Sequence, residues 1–296
     1  MGQIIFPMDF KEKLISSFMV FEQDIDLSNP VHEIRSKSLK KFEEKGFPNK
    51  KQEAWKYTSL AKILKSDYGI FPKKEVTIEL KDVQKYFLYE IDTYKIVFID
   101  GIYSPFLSDT THDGLDVCLL SAALTNPKYK SLINKYFNKI SDKKDSLALL
   151  NTSFSIEGAY IYLPKSVTAE KPIEIMHFST GKQGDFFLQP RNLIIVEENA
   201  EVQILERHQS LSNHRPFTNS VTEIYAKDSS RIDYYKIQND REESYLIDNT
   251  YISQNTKSNV HVHTFSFGGE ITRNNLNFYQ NGENCNSTLN GLTIIN

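Results

Sequence analysis

A unit of two strands recurs about every 28 residues in the second half of the chain, and this repeat constrains the fold more than any other feature. Short runs rich in β-branched and aromatic residues, separated by polar turns, begin near residue 158. Aligned starts of the strands after each turn are Val202, Ile232, Val260 and Thr288. On the strands before each turn, the matching series is Leu193, Val221, Ile247 and Leu276. Because both series share one period, they indicate a repeat architecture.

The secondary structure predicted for the repeat unit favours a β-solenoid. Each unit has two strands and no helix, which excludes the helical repeats, and a propeller blade would need four strands and about 40 residues. In a β-helix, each coil pairs with the coils above and below it and stacks apolar side chains inside. The alternative is an antiparallel sandwich with evenly spaced strands. We therefore predict a mainly β chain with a β-solenoid core of about 28 residues per coil.

The first 65 or so residues are predicted to be helical. Apolar residues recur at helical spacing from Phe10 to Phe21, with Asp9 as N-cap. A second helix is expected from about Pro30 to Lys45 and is ended by Gly46.

The segment that follows has a mixed pattern. Tyr94–Ile99 is a β-rich run before an Asp100-Gly101 turn signal, and residues 127–141 return to helical spacing. We predict a helical region at 1–75, a mixed α/β lead-in at 76–155 and the solenoid at 156–296.

Charge and composition argue against several classes of function. The chain carries 35 basic and 38 acidic side chains, a net charge of −3, so no overall field would recruit nucleic acid or an anionic membrane. It has no apolar run of membrane-spanning length and no secretory signal. Gly2 could suggest myristoylation, but Phe6 occupies the position that needs Ser or Thr. With only two cysteines, far apart in sequence, a cytoplasmic location is expected.

Catalytic motifs do not emerge from the sequence. It contains no Walker A sequence, no nucleophile elbow and no dinucleotide fingerprint. A solenoid glycan lyase or hydrolase is the enzyme alternative, and it would need acidic residues gathered on one face. Acidic residues here lie mostly in turns and do not recur at one register: Glu197, Glu198, Asp228, Asp240 and Glu242. We therefore expect a non-catalytic protein, with a generic β-helix interaction module as a further alternative.

Histidines and cysteines supply the candidate ligands. His261 and His263 alternate on one strand, so both rings leave the same face, but two ligands do not close a metal site. Cys285 lies in a turn where the other units place the small residues Ala200, Ser229 and Thr256. We expect no catalytic residue and no metal bound by this chain alone.

Three further side chains are interpreted as structural. His208 and His214 flank a polar segment that we interpret as a loop outside the coil stack. Cys118 has the surroundings of a buried strand cysteine.

The end of the printed sequence falls inside a repeat strand that begins at Thr288. An uncapped solenoid end exposes unpaired backbone and an apolar core. We therefore expect the chain to be the N-terminal portion of a longer protein, and its last coil to promote self-association.

The segment around the single tryptophan carries a family signature. Lys51-Gln-Glu53-Ala-Trp55-Lys56-Tyr57-Thr-Ser-Leu60 resembles the segment near the N-terminus of the SufD family, scaffold subunits of the SUF iron–sulfur cluster assembly system. Later stretches agree in order: Ala148–Phe154, Gly158–Pro164, Arg191–Val196, Phe265–Gly269 and Leu289–Leu292. Glu53, Trp55, Lys56 and Tyr57 are interpreted as structural, a buried Trp with polar neighbours at its rim. A docking surface is the alternative.

The resemblance implies more than the residue patterns do. It implies a right-handed parallel β-helix core and a scaffold role in a SufBCD-type complex, with SufB-like and SufC-like partners, SufC being the ATPase. An iron–sulfur cluster would form only in the full complex. The family's functional His, Cys and SufC-binding positions lie beyond residue 296, so none can be assigned here.

Overall fold

Two largely parallel sheets form a solenoid that is built mostly from the second half of the chain. The computed structural model describes residues 9–24, 30–71, 76–88, 90–110, 114–154 and 156–294. Gly2, Phe6 and residues 295–296 lie outside this range, so expectations about them are not addressed by the structure.

The six α-helices of the described chain precede the coils. They are α1 (Phe10–Phe21), α2 (Pro30–Lys45), α3 (Leu80–Val83), α4 (Leu120–Thr125), α5 (Lys130–Tyr136) and α6 (Ser146–Phe154). The two N-terminal helices begin and end as predicted, with the Asp9 carboxylate accepting from Lys11 N and Gly46 adopting a φ of +68°. Residues 46–65 differ from the helical prediction, since they form short 3-10 turns at Glu53–Trp55 and Ile63–Lys65. None of the described helices has both the length and the apolarity needed to cross a membrane.

The described residues form fourteen β-strands. Those of the first half are β1 (Tyr94–Ile99), β2 (Ile102–Tyr103), β3 (Asp116–Leu119), β4 (Ala159–Leu163), β5 (Ile173–Ser179), β6 (Phe187–Leu188) and β7 (Arg191–Val196). Those of the second half are β8 (Glu201–Ser210), β9 (Phe217–Ala226), β10 (Arg231–Asp240), β11 (Tyr245–Gln254), β12 (Asn259–Gly268), β13 (Ile271–Gln280) and β14 (Asn286–Ile294). The Asp100-Gly101 turn joins β1 to β2 as predicted.

Sheet pairing confirms the solenoid and excludes the sandwich. One sheet has the order β14-β12-β10-β8-β5-β1-β2, and the other has β13-β11-β9-β7-β4-β3. From β4 onward the described strands pair in parallel, whereas a sandwich would pair them antiparallel. Register partners Glu201, Arg231 and Asn259 follow one another at 30 and 28 residues, which confirms the period. The lead-in segment contributes β1, β2 and β3 to these sheets, and the predicted domain boundaries remain a prediction.

The detailed register was only partly correct. Val202, Ile232 and Val260 are true partners, but the next partner is Ser287, not Thr288. The second series was wrong: Leu193 pairs with Glu223, and Val221 pairs with Arg191. Turns of unequal length shift the strand starts without removing the period, and this is why alignment by starts misplaces individual partners.

The two corners of each coil behave differently. Four residues connect β7 to β8, β9 to β10 and β11 to β12, while the opposite corners shorten from six residues after β8 to four after β10 and two after β12. Each four-residue corner has a left-handed residue with φ of +57°, namely Asn199, Ser229 or Lys257. The buried small residue comes next, at Ala200, Ser230 or Ser258. The predicted occupants Ser229 and Thr256 were therefore wrong, because the small position follows the left-handed one.

The interior of the solenoid is apolar along one half of each strand and polar along the other. Ile204, Tyr234 and Val262 pack against Ile224 and Ile252 of the facing sheet. Two residues further along β8, the inward position is Glu206, and it contacts Asn192 of the facing sheet. This division places a charged cluster inside the coils.

Candidate functional site

Three side chains that can ligate a metal meet inside the polar half of the solenoid. His177 lies on β5, and Glu206 and His208 lie on β8. His177 is the register partner of His208, so the two imidazoles lie side by side on neighbouring strands. Their rings stack with centroids 4.6 Å apart and an 11° angle between planes. Glu206 projects to the same side because it precedes His208 by two residues in a strand.

Glu206 is the centre of this cluster. Its side chain is fully buried, and its Oε1 lies 3.4 Å from His177 Nε2 and 3.5 Å from His208 Nε2. Asn192 Nδ2 donates to Oε1 at 2.9 Å, and the Tyr234 hydroxyl donates to Oε2. The carboxylate is therefore held from both sides by neutral donors.

A lysine and a second carboxylate complete the charge balance. Lys236 Nζ lies 3.8 Å from Glu206 Oε2, pairs closely with Asp248 and donates to Thr250 Oγ1 at 2.7 Å. Two carboxylates and one ammonium leave this buried region with one excess negative charge when the imidazoles are neutral. A cation would be attracted to such a region.

The surroundings shift the proton affinities of the cluster. Burial alone would raise the pKa of Glu206, but Lys236 and then the two histidines outweigh it and hold the pKa well below its usual value. Burial lowers the pKa of His177, which favours the neutral ring. Burial, followed by the charge of Glu206, raises the pKa of Tyr234 well above its usual value, so this hydroxyl remains a donor.

A cavity of about 250 Å³ reaches the imidazoles. His177 and His208 form part of its wall, together with Asp240 at the end of β10 and Phe154 of α6. The cluster therefore has room beside it for water or a small ligand.

Glu157 also lines this cavity. It accepts hydrogen bonds from Ser121 Oγ at 3.2 and 3.3 Å. Burial raises the pKa of Glu157 to about 7, with the Ser121 hydrogen bond opposing that shift.

The tryptophan motif lies far along the chain from this cluster. Trp55 is buried, and the Arg273 guanidinium of β13 lies 4.4 Å from its ring centroid. Glu53, Lys56 and Tyr57 are exposed, and Tyr57 retains 90% of its accessible surface. The segment thus attaches a 3-10 turn to the solenoid. Its structural role and the alternative, a docking surface, both remain predictions.

The H-x-H pair lies on the outside of the solenoid. His261 Nδ1 is 2.8 Å from Asp233 Oδ1, and His263 stacks on Tyr235 at 4.9 Å. The carboxylate, absent from the local sequence, is supplied by the preceding coil, 28 residues earlier. Asp233 is the carboxylate that contacts this pair, through His261. The role of His261 and His263 as metal ligands remains a prediction.

The cysteines and the loop histidine have local partners. Cys285 Sγ lies 3.2 Å from the Gly282 carbonyl and 3.1 Å from that of Asn255. Ser230 and Ser258 make the same bond to the residue three positions earlier, so Cys285 occupies the corner position of a small residue. Cys118 is half-buried on β3, and His214 lies in a loop against Ser212.

His208 was misplaced by the sequence interpretation. It lies in β8 and is 6% exposed, so it belongs to the coil interior and not to an outer loop. Polar side chains that face the coil interior make a single strand resemble a loop, because the strands that cover them are distant in sequence. Neither His177 nor Glu206 was singled out, although the 31-residue separation of His177 and His208 is close to one coil and could have suggested the pair.

Two family models together match nearly all of the chain. Residues 8–175 match the SufBD protein N-terminal region, and residues 177–296 match the SufBD core domain of the SUF system for FeS cluster assembly. The chain is 26% identical to an iron–sulfur cluster assembly SufBD family protein of Synechocystis, over 84% of this chain and 56% of the relative. It is 24% identical to the iron–sulfur cluster assembly protein SufD of Escherichia coli, over the same shares.

A plant relative gives a similar result. The chloroplastic protein ABCI7 of Arabidopsis thaliana is 26% identical, over 86% of this chain and 54% of the relative. The chain thus spans little more than half the length of the curated relatives it matches. Since the N-terminal family model alone covers more than half of the 296 residues, the chain belongs to the SufBD family.

Proposed function

We propose that this chain acts as a SufD-like scaffold subunit in iron–sulfur cluster assembly, by binding partner proteins and without catalysis of its own. The observation that carries the proposal is the ordered match of both SufBD family models, from residue 8 to residue 296. The relatives named SufD and SufB support a SufBCD-type complex with SufB-like and SufC-like partners. A cytoplasmic location is part of the proposal, and its two unpaired cysteines support it.

Co-purification tests the proposal directly. The longest reading frame that contains the chain is tagged in its native cell, and proteins retained under mild conditions are identified and quantified. We expect SufB-like and SufC-like proteins in near-stoichiometric amounts. Recovery of neither partner, from cells in which both are expressed, would contradict the proposed role.

A matched pair of surface variants decides between the two interpretations of the tryptophan motif. Tyr57→Ser removes the exposed ring beside Trp55, and Phe106→Ser removes a ring elsewhere that is 81% exposed. If the motif is structural, both variants retain the partners as the wild type does. Loss of partners in Tyr57→Ser alone would assign the motif to docking.

The glycan-active enzyme is not favoured by the family match. A depolymerisation assay on polyuronates tests it at little cost. The scaffold proposal expects no product above background, and product release by the purified protein would overturn the non-catalytic role.

A further inference from the structure

The Nε2 atoms of His177 and His208 stand out among the buried polar atoms of the solenoid because both are directed at one carboxylate. Both Nε2 atoms are buried and have no hydrogen-bond partner among the described residues. They lie 3.4 and 3.5 Å from the same Glu206 oxygen, beyond the usual length of an N–H···O hydrogen bond. A buried polar atom without a partner costs free energy, so two such atoms directed at one carboxylate need an explanation.

The spacing of the three groups suits a single ion. One ligand atom from each of His177, Glu206 and His208 can be chosen such that all three lie within 4.8 Å of one another. Imidazole nitrogen and carboxylate oxygen are ligands of zinc and of ferrous iron. Ligands about 2.0–2.2 Å from such an ion would be separated by distances of this order.

The ligand side chains are already oriented by their neighbours. His177 is stacked between His208 and Phe98, whose ring centroid is 5.1 Å away. Asn192 and Tyr234 donate to the two oxygens of Glu206. Outer partners of this kind fix ligand geometry in metal sites.

Charge and access agree with a cation. Lys236 lies 3.8 Å from Glu206 but pairs with Asp248, so the Glu206 charge remains for the ion. The cavity that touches both imidazoles can supply water to the positions that protein atoms do not fill.

We propose that His177, Glu206 and His208 bind one divalent transition-metal ion of the zinc or ferrous class inside the solenoid. Water from the cavity completes the coordination. This proposal differs from the sequence-based expectation that the chain binds no metal alone, and it does not depend on the assembly role.

Metal titration tests the site. Protein carrying a tag without histidine is stripped with a chelator and titrated anaerobically with Co²⁺, followed by visible absorption. Competition with Zn²⁺ and with Fe²⁺ then ranks the two metals. We expect one equivalent of Co²⁺ to bind, and displacement by either competitor supports the site and assigns its preferred ion.

Variants and a matched control locate the ion. Loss of an outer partner typically lowers metal affinity about 10–100-fold, so His208→Gln and His177→Gln should lower it by about 100-fold or more. His214→Gln, in a surface loop, should retain wild-type affinity. Circular dichroism verifies that each variant is folded.

X-ray absorption on the zinc-loaded wild type keeps the proposal testable if the variants unfold. We expect a shell of nitrogen and oxygen that contains two imidazoles and no sulfur. Failure to bind any of the three metals, unchanged affinity in folded His208→Gln protein, or a sulfur ligand would each overturn the proposal.

Discussion

Glu223 and Glu206 are both fully buried on solenoid strands, yet their surroundings differ in kind. Glu223 faces the helical layer, where the Arg191 guanidinium and the backbone N–H groups of Asn138, Ile140 and Ser141 donate to it. Glu206 faces the coil interior, beside two ring nitrogens that have no hydrogen-bond partner among the described residues and whose imidazoles line a cavity. One carboxylate fastens a loop to the solenoid, while the other lies in a site that can accept a ligand. Burial of a charge alone therefore does not distinguish a structural group from a functional one, whereas unused neighbouring atoms do.

The largest effect is expected from Glu223→Gln. The substitution leaves the Arg191 charge buried without its partner, and breaking such a pair typically costs about 3–5 kcal/mol. Denaturant unfolding would measure this loss. Lys165→Ala, which removes an exposed ion pair with Glu198, is the control and should cost no more than about 1 kcal/mol. Equal losses for the two variants would contradict the structural role given to Glu223.

Glu206→Gln should cost less than Glu223→Gln. Lys236 retains Asp248 as its partner, so the loss is limited to weakened hydrogen bonds from Asn192 and Tyr234. Hydrogen bonds to charged groups contribute about 1.5–3 kcal/mol, and the amide preserves part of this. The same unfolding measurement, made on metal-free protein, gives the comparison. If Glu206→Gln lowers the free energy of unfolding more than Glu223→Gln does, Glu206 and not Glu223 is the more important carboxylate for stability.

Glu157 should make stability depend on pH in the opposite sense to an ordinary paired carboxylate. Burial raises its pKa in the folded state to about 7 from an ordinary value of 4.5, so the folded protein retains a proton that the unfolded chain has lost. Its contribution is fully present below about pH 4.5 and is lost as the pH rises through about 7.

The pH series needs a difference measurement. The free energy of unfolding is compared between the wild type and Glu157→Gln from pH 4 to pH 8, and the wild type should lose stability relative to the variant over that window. Glu242→Gln changes the same charge at an exposed corner and serves as the control. A constant difference across the series would show that Glu157 ionises alike in both states.

The smallest effect is expected from Cys285→Ser. Serine already occupies this corner position at Ser230 and Ser258 and makes the same bond to a carbonyl three residues earlier. The free energy of unfolding should change by less than about 1 kcal/mol. Ser258→Cys, the reciprocal change, should be tolerated similarly. Loss of partner recovery in folded Cys285→Ser protein would instead give the thiol a role beyond its corner.

The sequence predicted the architecture better than it predicted the site. The period, the Asp9 cap and the stop at Gly46 all depend on local chemistry or on spacing, and these were correct. The Glu206 cluster depends on which residues become neighbours across coils, and an error of one or two residues in register moves each side chain to another face or partner. His208 was assigned to a loop because the polar residues that follow it in the sequence resemble one. The sequence shows how long each coil is, but it does not show which residues of successive coils become register partners.

The corners on the two sides of the coils differ in how much their length varies. Those of the Glu197–Ala200 side have four residues in three successive coils and five between β13 and β14, and each contains a left-handed residue. The opposite corners already vary between six and two residues while the ten-residue strands remain in register. A fluorescent tag or an affinity peptide should therefore be accepted between Leu211 and Pro216. Differences in length among relatives should accumulate along that same edge.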